Sequence, residues 1–261
     1  MSSVTGHPGN EQLKELTVEP IGLKPARRIV TACHYMKTWP QGATHAYGVL
    51  HNGKCKGVIV LGETETTRGK VAKYSRNMPK GKYIELQRTW ISDELGHNTE
   101  SYCMARVMQS LKALGVWVVL THSGGCKDDV GFIFQASGWL YFGYERCNDF
   151  YLTNSGSYKS LIGAMRYGRV PKGVAGKGKQ HVGEFLFGPG QIVHARRHWY
   201  LYPINRGVRR RLAKIALPYP KDPARFRRDQ RWCTDDLEEG PRGAGVIRNV
   251  SGSIPDSSAK D

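Results

Sequence analysis

The segment from Gly131 to Gly143, Gly-Phe-Ile-Phe-Gln-Ala-Ser-Gly-Trp-Leu-Tyr-Phe-Gly, most constrains the fold of this chain. It predicts a helical turn carrying Phe134 and Gln135 that ends at Gly138, followed at once by an aromatic strand at 139–142. An apolar run at 116–121 and a polar loop at 122–129 precede it. This order of strand, loop, helix and strand is typical of α/β enzymes that display a site at a strand's carboxyl end. A buried crossover with an aromatic core fits the same pattern.

The rest of the chain also mixes helical and strand patterns. Residues 25–34 and 99–114 predict helices, the second capped by Asn98 or Thr99 and stopped by Gly115. Apolar runs at 46–50 and 56–61 flank Asn52-Gly53, which is the strongest short signal for a β-hairpin. Residues 83–90 predict a further strand, and residues 62–81 a polar, basic loop.

Positive charge is concentrated in one part of the chain. The net charge is +17, and residues 155–232 hold 18 Lys and Arg against 3 Asp and Glu, a net of +15. We therefore predict an N-terminal arm at 1–24, a catalytic core at 25–154, a basic extension at 155–232 and a disordered tail at 233–261. Within the extension we expect a mobile basic loop at 168–183, a strand at 198–203 and a basic helix at 206–217.

The extension has the composition of a nucleic-acid-binding surface. Arginines that alternate with aromatic rings can clamp phosphates and stack on bases. The aromatic residues are Trp199, Tyr200, Tyr202, Tyr219, Phe226 and Trp232. We expect the DNA contacts to come from Lys172, Lys177, Lys179, Arg196, Arg197, Arg209, Arg210 and Arg211.

Several classes of protein do not fit the sequence. The six cysteines are scattered without a CxxC pair, which predicts reduced thiols in a cytosolic setting. The first thirty residues lack a signal pattern, and no apolar run reaches the ~18 residues that a bilayer requires. A hydrolytic triad is disfavoured because no G-x-S-x-G sequence occurs.

Three polar clusters are candidate sites. His34-Tyr35, at the end of the first helix, could act as acid and base or bind a metal, or could simply be a packed helix end. Glu85 and Arg88 lie on a strand that leads to a helix N-terminus, where backbone N–H groups could cradle an anion. That cradle would use Gly96, Asn98, Thr99 and Ser101. The third cluster comprises Thr121, His122, Ser123, Asp128, Asp129 and Gln135.

Taken in order, these motifs resemble the Mom-type DNA modification proteins of bacteriophages, a divergent branch of the GNAT-like fold. The resemblance covers residues 24–221. It rests on His34-Tyr35 before a Trp-Pro turn, the hairpin at 48–61, Glu85-Leu-Gln-Arg88, Asn98-Thr-Glu-Ser101, the 131–143 segment, Arg197-His-Trp-Tyr-Leu-Tyr202 and Leu217-Pro-Tyr-Pro-Lys221. Of the GNAT loop pattern Arg/Gln-x-x-Gly-x-Gly/Ala, only Gly96 matches.

The resemblance implies a fold and an activity. The fold would be α/β (α+β), with a GNAT-like central, mostly antiparallel twisted sheet flanked by helices and a basic C-terminal extension. The activity would be transfer of a carbamoylmethyl group to adenine N6 in duplex DNA. This modification would protect phage DNA from restriction, in the cytoplasm of the infected bacterial host. The donor is open, and both an acetyl-CoA-like donor and iron are compatible with the resemblance.

The resemblance also suggests roles for individual residues. The general base would be Asp129 or His34, oriented by Tyr35 and Glu85, with Arg88 binding the donor. The adenine would be bound by Ser123 and Gln135 and stacked on Trp139 or Tyr141. The chain departs from the family pattern at Gly124-Gly125, where an Asp is expected, and at Asp129, where a His is expected.

Two other functions remain open on the sequence. One is a GNAT-type acyltransferase that acts on another base, on a small molecule or on a protein amine, which would bind acyl-CoA near residues 96–99. The other is a non-catalytic basic DNA-binding protein, which would bind duplex DNA in a salt-sensitive way without base chemistry.

Overall fold

The structure is a computed structural model that describes residues 13, 15–34, 38–64, 69, 82–125, 130–161, 165 and 170–220. Its contacts divide the chain into two compact units. The first comprises Met1–Ser123, Asp129–Tyr141 and Trp199–Lys221, and the second comprises Gly124–Asp128, Phe142–His198 and Asp222–Asp261. This division differs from the predicted boundary at residue 154, because Tyr200, Tyr202 and Ile204 contribute to the core of the first unit.

Eight strands form a single sheet in the described part of the chain. They are β1 (Leu16–Pro20), β2 (Ala43–His51), β3 (Lys54–Gly62), β4 (Tyr83–Ile91), β5 (Val118–Gly125), β6 (Leu140–Thr153), β7 (Tyr158–Ser160) and β8 (Gly190–Pro203). Their order across the sheet is β1-β2-β3-β4-β5-β8-β6-β7. The ladders from β1 to β4 are antiparallel, whereas β4 and β5 are parallel. The predicted mixed, mostly antiparallel sheet is confirmed.

Helices α1 (Leu23–Cys33), α2 (Thr99–Ala113) and α3 (Phe132–Ala136) belong to the first unit, with α6 (Arg206–Ala213). The predicted hairpin is present, with Asn52 and Gly53 at φ values of 50° and 71°. Both values lie in the left-handed region that a tight hairpin turn requires. The sequence therefore located the first helix, the hairpin, β4 and α2 to within two residues at most boundaries.

Parallel pairing between β4 and β5 is short. It covers Tyr83 with Val118, Ile84 with Val119 and Glu85 with Leu120. Beyond that point the Thr121 hydroxyl donates to the Leu86 carbonyl at 3.0 Å, so a side-chain hydrogen bond continues the contact between the two strands. The pairing of β4 with β3 shifts its register between Val60 and Leu61 of β3. The extra residue at this shift is Gln87, since Leu86 pairs with Leu61 and Arg88 with Val60, whereas Glu85 stays in register with Gly62 of β3 and Leu120 of β5.

The two faces of this part of the sheet carry separate cores. One core contains Ile84, Leu86 and Val119 with α2 and the aromatic residues Trp139, Tyr141 and Tyr200. The other contains Val58 and Val60 with Ala26 and Val30 of α1, and Trp90 packs against it. Since side chains alternate along a strand, Glu85 lies on the face opposite to Ile84 and Leu86.

The second unit has a small core of its own. Helices α4 (Lys172–Ala175) and α5 (Lys179–Phe187) lie in this unit. Tyr151, Leu161 and Val182 are buried together, and the Tyr151 hydroxyl donates to the Gly188 carbonyl at 2.9 Å. A Cβ at Gly183 would approach the Tyr151 ring to 2.1 Å, so glycine is what allows α5 to pack this closely.

Several predicted boundaries are wrong. The predicted arm contains β1, because Leu16–Pro20 pairs with β2 and buries Leu16. The predicted loop at 168–183 contains α4 and α5, since Val182 and Gly183 are buried against Tyr151. Strand β5 extends into the predicted polar loop, and β6 and β8 are 14 residues each rather than short strands.

The basic helix α6 ends at Ala213 rather than at Leu217, because Leu217 leaves the helix and donates its backbone N–H to the Tyr141 carbonyl at 2.8 Å. Most of the predicted loop at 62–81 and the whole predicted tail at 233–261 lie outside the described residues. No helix in the described ranges is both long and apolar enough to cross a membrane.

Candidate active site

A buried carboxylate and a half-exposed imidazole meet where β4 and β5 stop pairing. The Glu85 side chain is 7% exposed and the His122 side chain 36%, and Glu85 Oε1 lies 3.5 Å from His122 Nδ1. Glu85 pairs in register with Leu120, so His122 is its diagonal neighbour on the same face of the sheet. Local strand geometry therefore brings together two residues that are 37 positions apart in the sequence.

The surroundings of this pair restrict both side chains. Thr64 Oγ1 donates to Glu85 Oε2 at 3.4 Å, and the Trp199 ring lies 5.1 Å from the His122 ring, centroid to centroid. Nδ1 of His122 is buried and lies within ion-pair distance of Glu85, but it makes no hydrogen bond of good geometry to any described residue. A buried carboxylate therefore lies beside an imidazole that is about one-third exposed, an arrangement in which the carboxylate can orient the ring.

His34 lies at the end of α1 and is buried, with 4% of its surface exposed. Burial, together with the positive charge of Arg88, lowers the pKa of His34 to about 4. The ring is therefore neutral at neutral pH. A general base works best with a pKa near the operating pH, so His34 is a poor candidate for the base proposed from the sequence.

Arg88 is engaged with the backbone and with the loop after α1. Its Nη1 donates to the Gln87 carbonyl at 2.7 Å, its Nε to the Thr38 carbonyl at 3.3 Å and its Nη2 to Thr38 Oγ1 at 3.4 Å. These contacts give Arg88 a structural role in holding residues 38–40 against β4. Binding of the donor by Arg88, as the sequence suggested, would compete with these bonds.

Ser123 and Gln135 lie together on the other face of the sheet, beside α3. A Cβ at Gly131 would come within 2.5 Å of Ser123 Oγ and 3.0 Å of the Tyr200 ring. Gln135 Nε2 donates to the Val130 carbonyl at 2.9 Å and to the Tyr200 hydroxyl at 3.1 Å. The structure therefore uses the Gln135 amide to hold the loop before α3, rather than presenting it to a base edge.

Trp139 and Tyr141 are core residues. Their exposures are 1% and 6%, and the Trp139 ring packs 5.1 Å from Phe134 and 5.5 Å from Tyr202. A base cannot stack on a ring whose faces are covered, so the predicted stacking role does not fit either residue. The same holds for Trp199 and Tyr200, which are also buried. Aromatic content alone did not distinguish core rings from accessible ones.

The residues of the predicted cofactor cradle lie at and just before the start of α2, where their hydroxyls bond to nearby carbonyls. Thr99 Oγ1 donates to the carbonyls of Leu95 and Gly96 at 2.8 and 3.0 Å, and Ser101 Oγ donates to the Asn98 carbonyl at 2.9 Å. Gly96 and Asn98 adopt positive φ values of 76° and 65°. Cofactor binding by these residues stays a prediction.

The basic residues fall into two groups. Arg196 lies over the Tyr144 ring at 5.2 Å, and Arg197 Nη1 is 3.3 Å from Glu145 Oε1, so both already have partners within the second unit. The other group is exposed or half-buried, with Lys172, Lys177 and Lys179 in and between α4 and α5, and Arg209, Arg210 and Arg211 on α6.

Two predicted catalytic residues, Tyr35 and Asp129, lie outside the described residues, as does Asp128. A neutral His34 could supply one ligand to a metal ion, but one imidazole is an incomplete first shell. The described residues contain no group of three or more His, Cys, Asp and Glu side chains placed to bind a metal.

The position of His122 differs from the prediction. The sequence places it in the polar loop at 122–129, whereas it lies within β5, on the face of Glu85. Alternation along a strand puts positions 120 and 122 on one face, but the register that sets Leu120 opposite Glu85 has no local signal in the sequence.

Comparison with known families shows the family of this chain. The family model described as the Mom protein family matches residues 15–221. The chain belongs to the Mom protein family. A relative in Escherichia phage Mu, described as methylcarbamoylase mom, is 25% identical over 215 residues, which cover 80% of this chain and 85% of the relative. These matches confirm the resemblance drawn from the sequence and the prediction that this Mom-family chain is an enzyme of the transferase class.

Solved structures similar to this Mom-family chain are acetyltransferases. They include the ribosomal-protein-S18-alanine N-acetyltransferase of Escherichia coli, with 9% identity, a TM-score of 0.42 and coverage of 73% of this chain and 94% of that one. The polyamine N-acetyltransferase of Drosophila melanogaster has 13% identity, a TM-score of 0.41 and coverage of 72% and 99%. At these scores the similarities assign neither a reaction nor a site residue to this chain.

Proposed function

We propose that this protein transfers a carbamoylmethyl-type group to N6 of adenine in duplex DNA, with His122 as the general base and Glu85 as the residue that orients it. Membership of the Mom family supports the reaction class, and the name of the phage Mu relative supports the group transferred. The observation that carries the residue assignment is the 3.5 Å contact between Glu85 and His122.

The chemistry explains why a base is needed. The N6 lone pair of adenine is delocalised into the ring, so N6 becomes a better nucleophile as its proton is removed. In the proposed step N6 forms a bond to the methylene carbon of an activated carbamoylmethyl donor, and the donor's leaving group departs with the electron pair of the broken bond. The N6 proton passes to His122. The imidazolium formed in this way is stabilised by the Glu85 carboxylate next to it.

Duplex DNA is the proposed partner because an exposed basic face is built into the first unit. Val208 and Leu212 anchor α6 by burial, which leaves Arg206, Arg209 and Arg210 exposed. Arginine side chains on a firmly packed helix can hold phosphates without reading base sequence. The modification would protect phage DNA against restriction in the cytoplasm of the infected host.

The test is mass spectrometry of nucleosides from cellular DNA, sampled early after induction of the protein. Wild-type protein should produce a deoxyadenosine with the added mass of a carbamoylmethyl group. Substitution His122→Asn should lower the rate of its appearance by about 10²–10⁴-fold, which is the usual contribution of a general base. Glu85→Gln should lower it as well, because the imidazole would lose its charged partner.

A second histidine–glutamate pair in the same unit provides the control. His51 Nε2 lies 3.0 Å from Glu15 Oε2, far along the chain from β4 and β5. His51→Asn should leave the adduct unchanged. Full activity in His122→Asn would contradict the assignment of the base, and DNA free of any adduct in cells making folded wild-type protein would contradict the proposed reaction. An adduct on a different base would support a DNA-modifying enzyme but would replace adenine as its substrate.

A further inference from the structure

Phe132 is the exposed aromatic residue of the segment that contains the 131–143 motif. It is 54% exposed, whereas Trp139, Tyr141 and Phe142 in the same fully described segment are buried and Phe134 is half-buried. Large apolar side chains on a surface carry a cost in water, and a single one is unremarkable in itself. Its position, however, is set by neighbours that leave it no alternative place in the core.

The residues after Phe132 already fill the space beneath α3. Ile133 and Phe134 pack against the core of the first unit, and the Phe134 ring lies 5.1 Å from Trp139 and 5.5 Å from Tyr200. In a helix, a residue one position before this inward pair points to a different face. Phe132 is therefore directed outward by the packing of α3.

The two residues before Phe132 are held by specific contacts. The Val130 carbonyl accepts hydrogen bonds from Gln135 Nε2 at 2.9 Å and from the Tyr200 hydroxyl. Gly131 has φ of 68°, a conformation that glycine adopts at little cost. On the other side of Phe132, Ile133 packs against the core, so the backbone that presents the ring is anchored before and after it.

Phe132 lies beside the strand that carries the proposed base. Gly131, the residue before it, is packed so closely against Ser123 that an added Cβ would come within 2.5 Å of Ser123 Oγ. Ser123 in turn follows His122 directly in β5, with its side chain on the opposite face of the sheet, so Phe132 approaches this strand from the face opposite to the imidazole. The exposed ring is therefore connected through one tight contact to the end of the strand at which transfer is proposed.

Modification of N6 in a duplex requires that the adenine leave its pair, since N6 donates a hydrogen bond to thymine. Resting on the proposed function, we propose that Phe132 is an apolar wedge that enters the base stack next to the target and holds the adenine out of the helix. Apolar side chains such as Phe are commonly inserted between base steps, where they replace stacking lost on extrusion. The rings predicted to stack on the base are buried, so Phe132 is the ring of this segment that can reach DNA.

The experiment uses the full-length protein and duplexes of mixed sequence that carry 2-aminopurine in place of adenine. Fluorescence of this base rises when it leaves the stack, and no donor is required. In one duplex series the 2-aminopurine faces thymine, and in the other it faces an abasic site, where it is already loosely held. We expect Phe132→Ala to reduce the rise on the paired duplex about tenfold while retaining it on the abasic duplex, because unstacking a paired base costs a few kcal/mol.

Two variants separate a wedge from a structural role. Phe132→Leu keeps apolar bulk and should retain most of the signal on paired DNA. Phe185→Ala removes an equally exposed phenylalanine, at 55%, from the second unit and should change nothing. Equal loss on paired and abasic duplexes, a wild-type signal in Phe132→Ala, or no rise on any duplex with the wild-type protein would overturn the proposal. A fluorescence rise without any adduct in cellular DNA would instead reject the proposed transfer and leave base extrusion standing.

Discussion

Individual buried groups determine how this protein responds to pH. His34 is held neutral because its burial and the Arg88 guanidinium lower its pKa from the usual 6.5 to about 4. The unfolded chain, with a normal imidazole, binds a proton more readily than the folded protein over that interval. The free energy of unfolding is therefore unaffected by His34 protonation above about pH 6.5, and it decreases as the pH falls from there towards 4.

The first prediction concerns this residue. Between pH 7 and pH 4, the wild-type protein should lose more stability than His34→Gln, by roughly 3 kcal/mol at most, since one pKa unit corresponds to about 1.4 kcal/mol. Urea unfolding at a series of pH values measures the difference. Parallel curves for the two proteins would show that His34 is not the group responsible.

Gly131 packs so closely against Ser123 and Tyr200 that there is no room for a Cβ atom. Gly131 and Gly138 have nearly the same φ, 68° and 72°, but a Cβ at Gly131 meets Ser123 and Tyr200, whereas a Cβ at Gly138 meets nothing within 4 Å. Both alanine substitutions should carry the backbone cost of a positive φ. Gly131→Ala should lose about 1–3 kcal/mol more in urea unfolding, because crowding is added. Equal losses would show that the strand end yields to the extra methyl group.

Among the elements, α6 depends most clearly on its cap. The Asn205 side chain accepts a hydrogen bond from the Val208 N–H at 3.0 Å, and the helix has only eight residues, of which Val208 and Leu212 are buried. Short helices owe their stability to packing and to caps more than to propensity.

The element-scale prediction follows from that cap. Asn205→Ala should lower the free energy of unfolding by about 1 kcal/mol, whereas Asn205→Ser, which can still accept the bond, should lose much less. Weaker binding to duplex DNA should accompany the alanine variant only, since fraying of α6 would release its arginines. Identical unfolding curves for the two variants would show that the capping hydrogen bond is not the cause of the lost stability.

At the scale of the whole molecule, the net charge of +17 predicts that the proposed association with DNA depends on salt. Each phosphate neutralised by a cation contributes about 0.9 to the slope of log K against log salt. We predict that the triple substitution of Arg206, Arg209 and Arg210 by Gln reduces the magnitude of that slope by about 2–3 in fluorescence anisotropy titrations of a duplex.

The matched control uses basic residues of another exposed helix. Substitution of Lys24, Arg27 and Arg28 by Gln removes the same three positive charges from α1 and should change the slope far less. Equal effects of the two sets would mean that binding reflects total charge and not a face formed by α6.

The sequence by itself determined those elements whose signals are local. The Asn-Gly turn, the glycine stops after α2 and α3, and the periodicity of α2 act within a few residues, so these elements occur close to where they were expected. The family resemblance, which rests on short motifs in a fixed order, was likewise readable and is confirmed over residues 15–221. The positive charge of the extension follows directly from counting its Lys, Arg, Asp and Glu residues.

Tertiary structure decided which side chains are available for chemistry. Trp139, Tyr141 and Tyr200 have the same composition signal as a stacking surface, yet burial against one another removes them from solvent, while Phe132 remains outside. Glu85 and His122 form a pair only because β4 and β5 are parallel and in a register that no local signal specifies. Long-range strand pairing depends on the summed burial of the whole core, which is why position in the sequence predicted the elements and not the site.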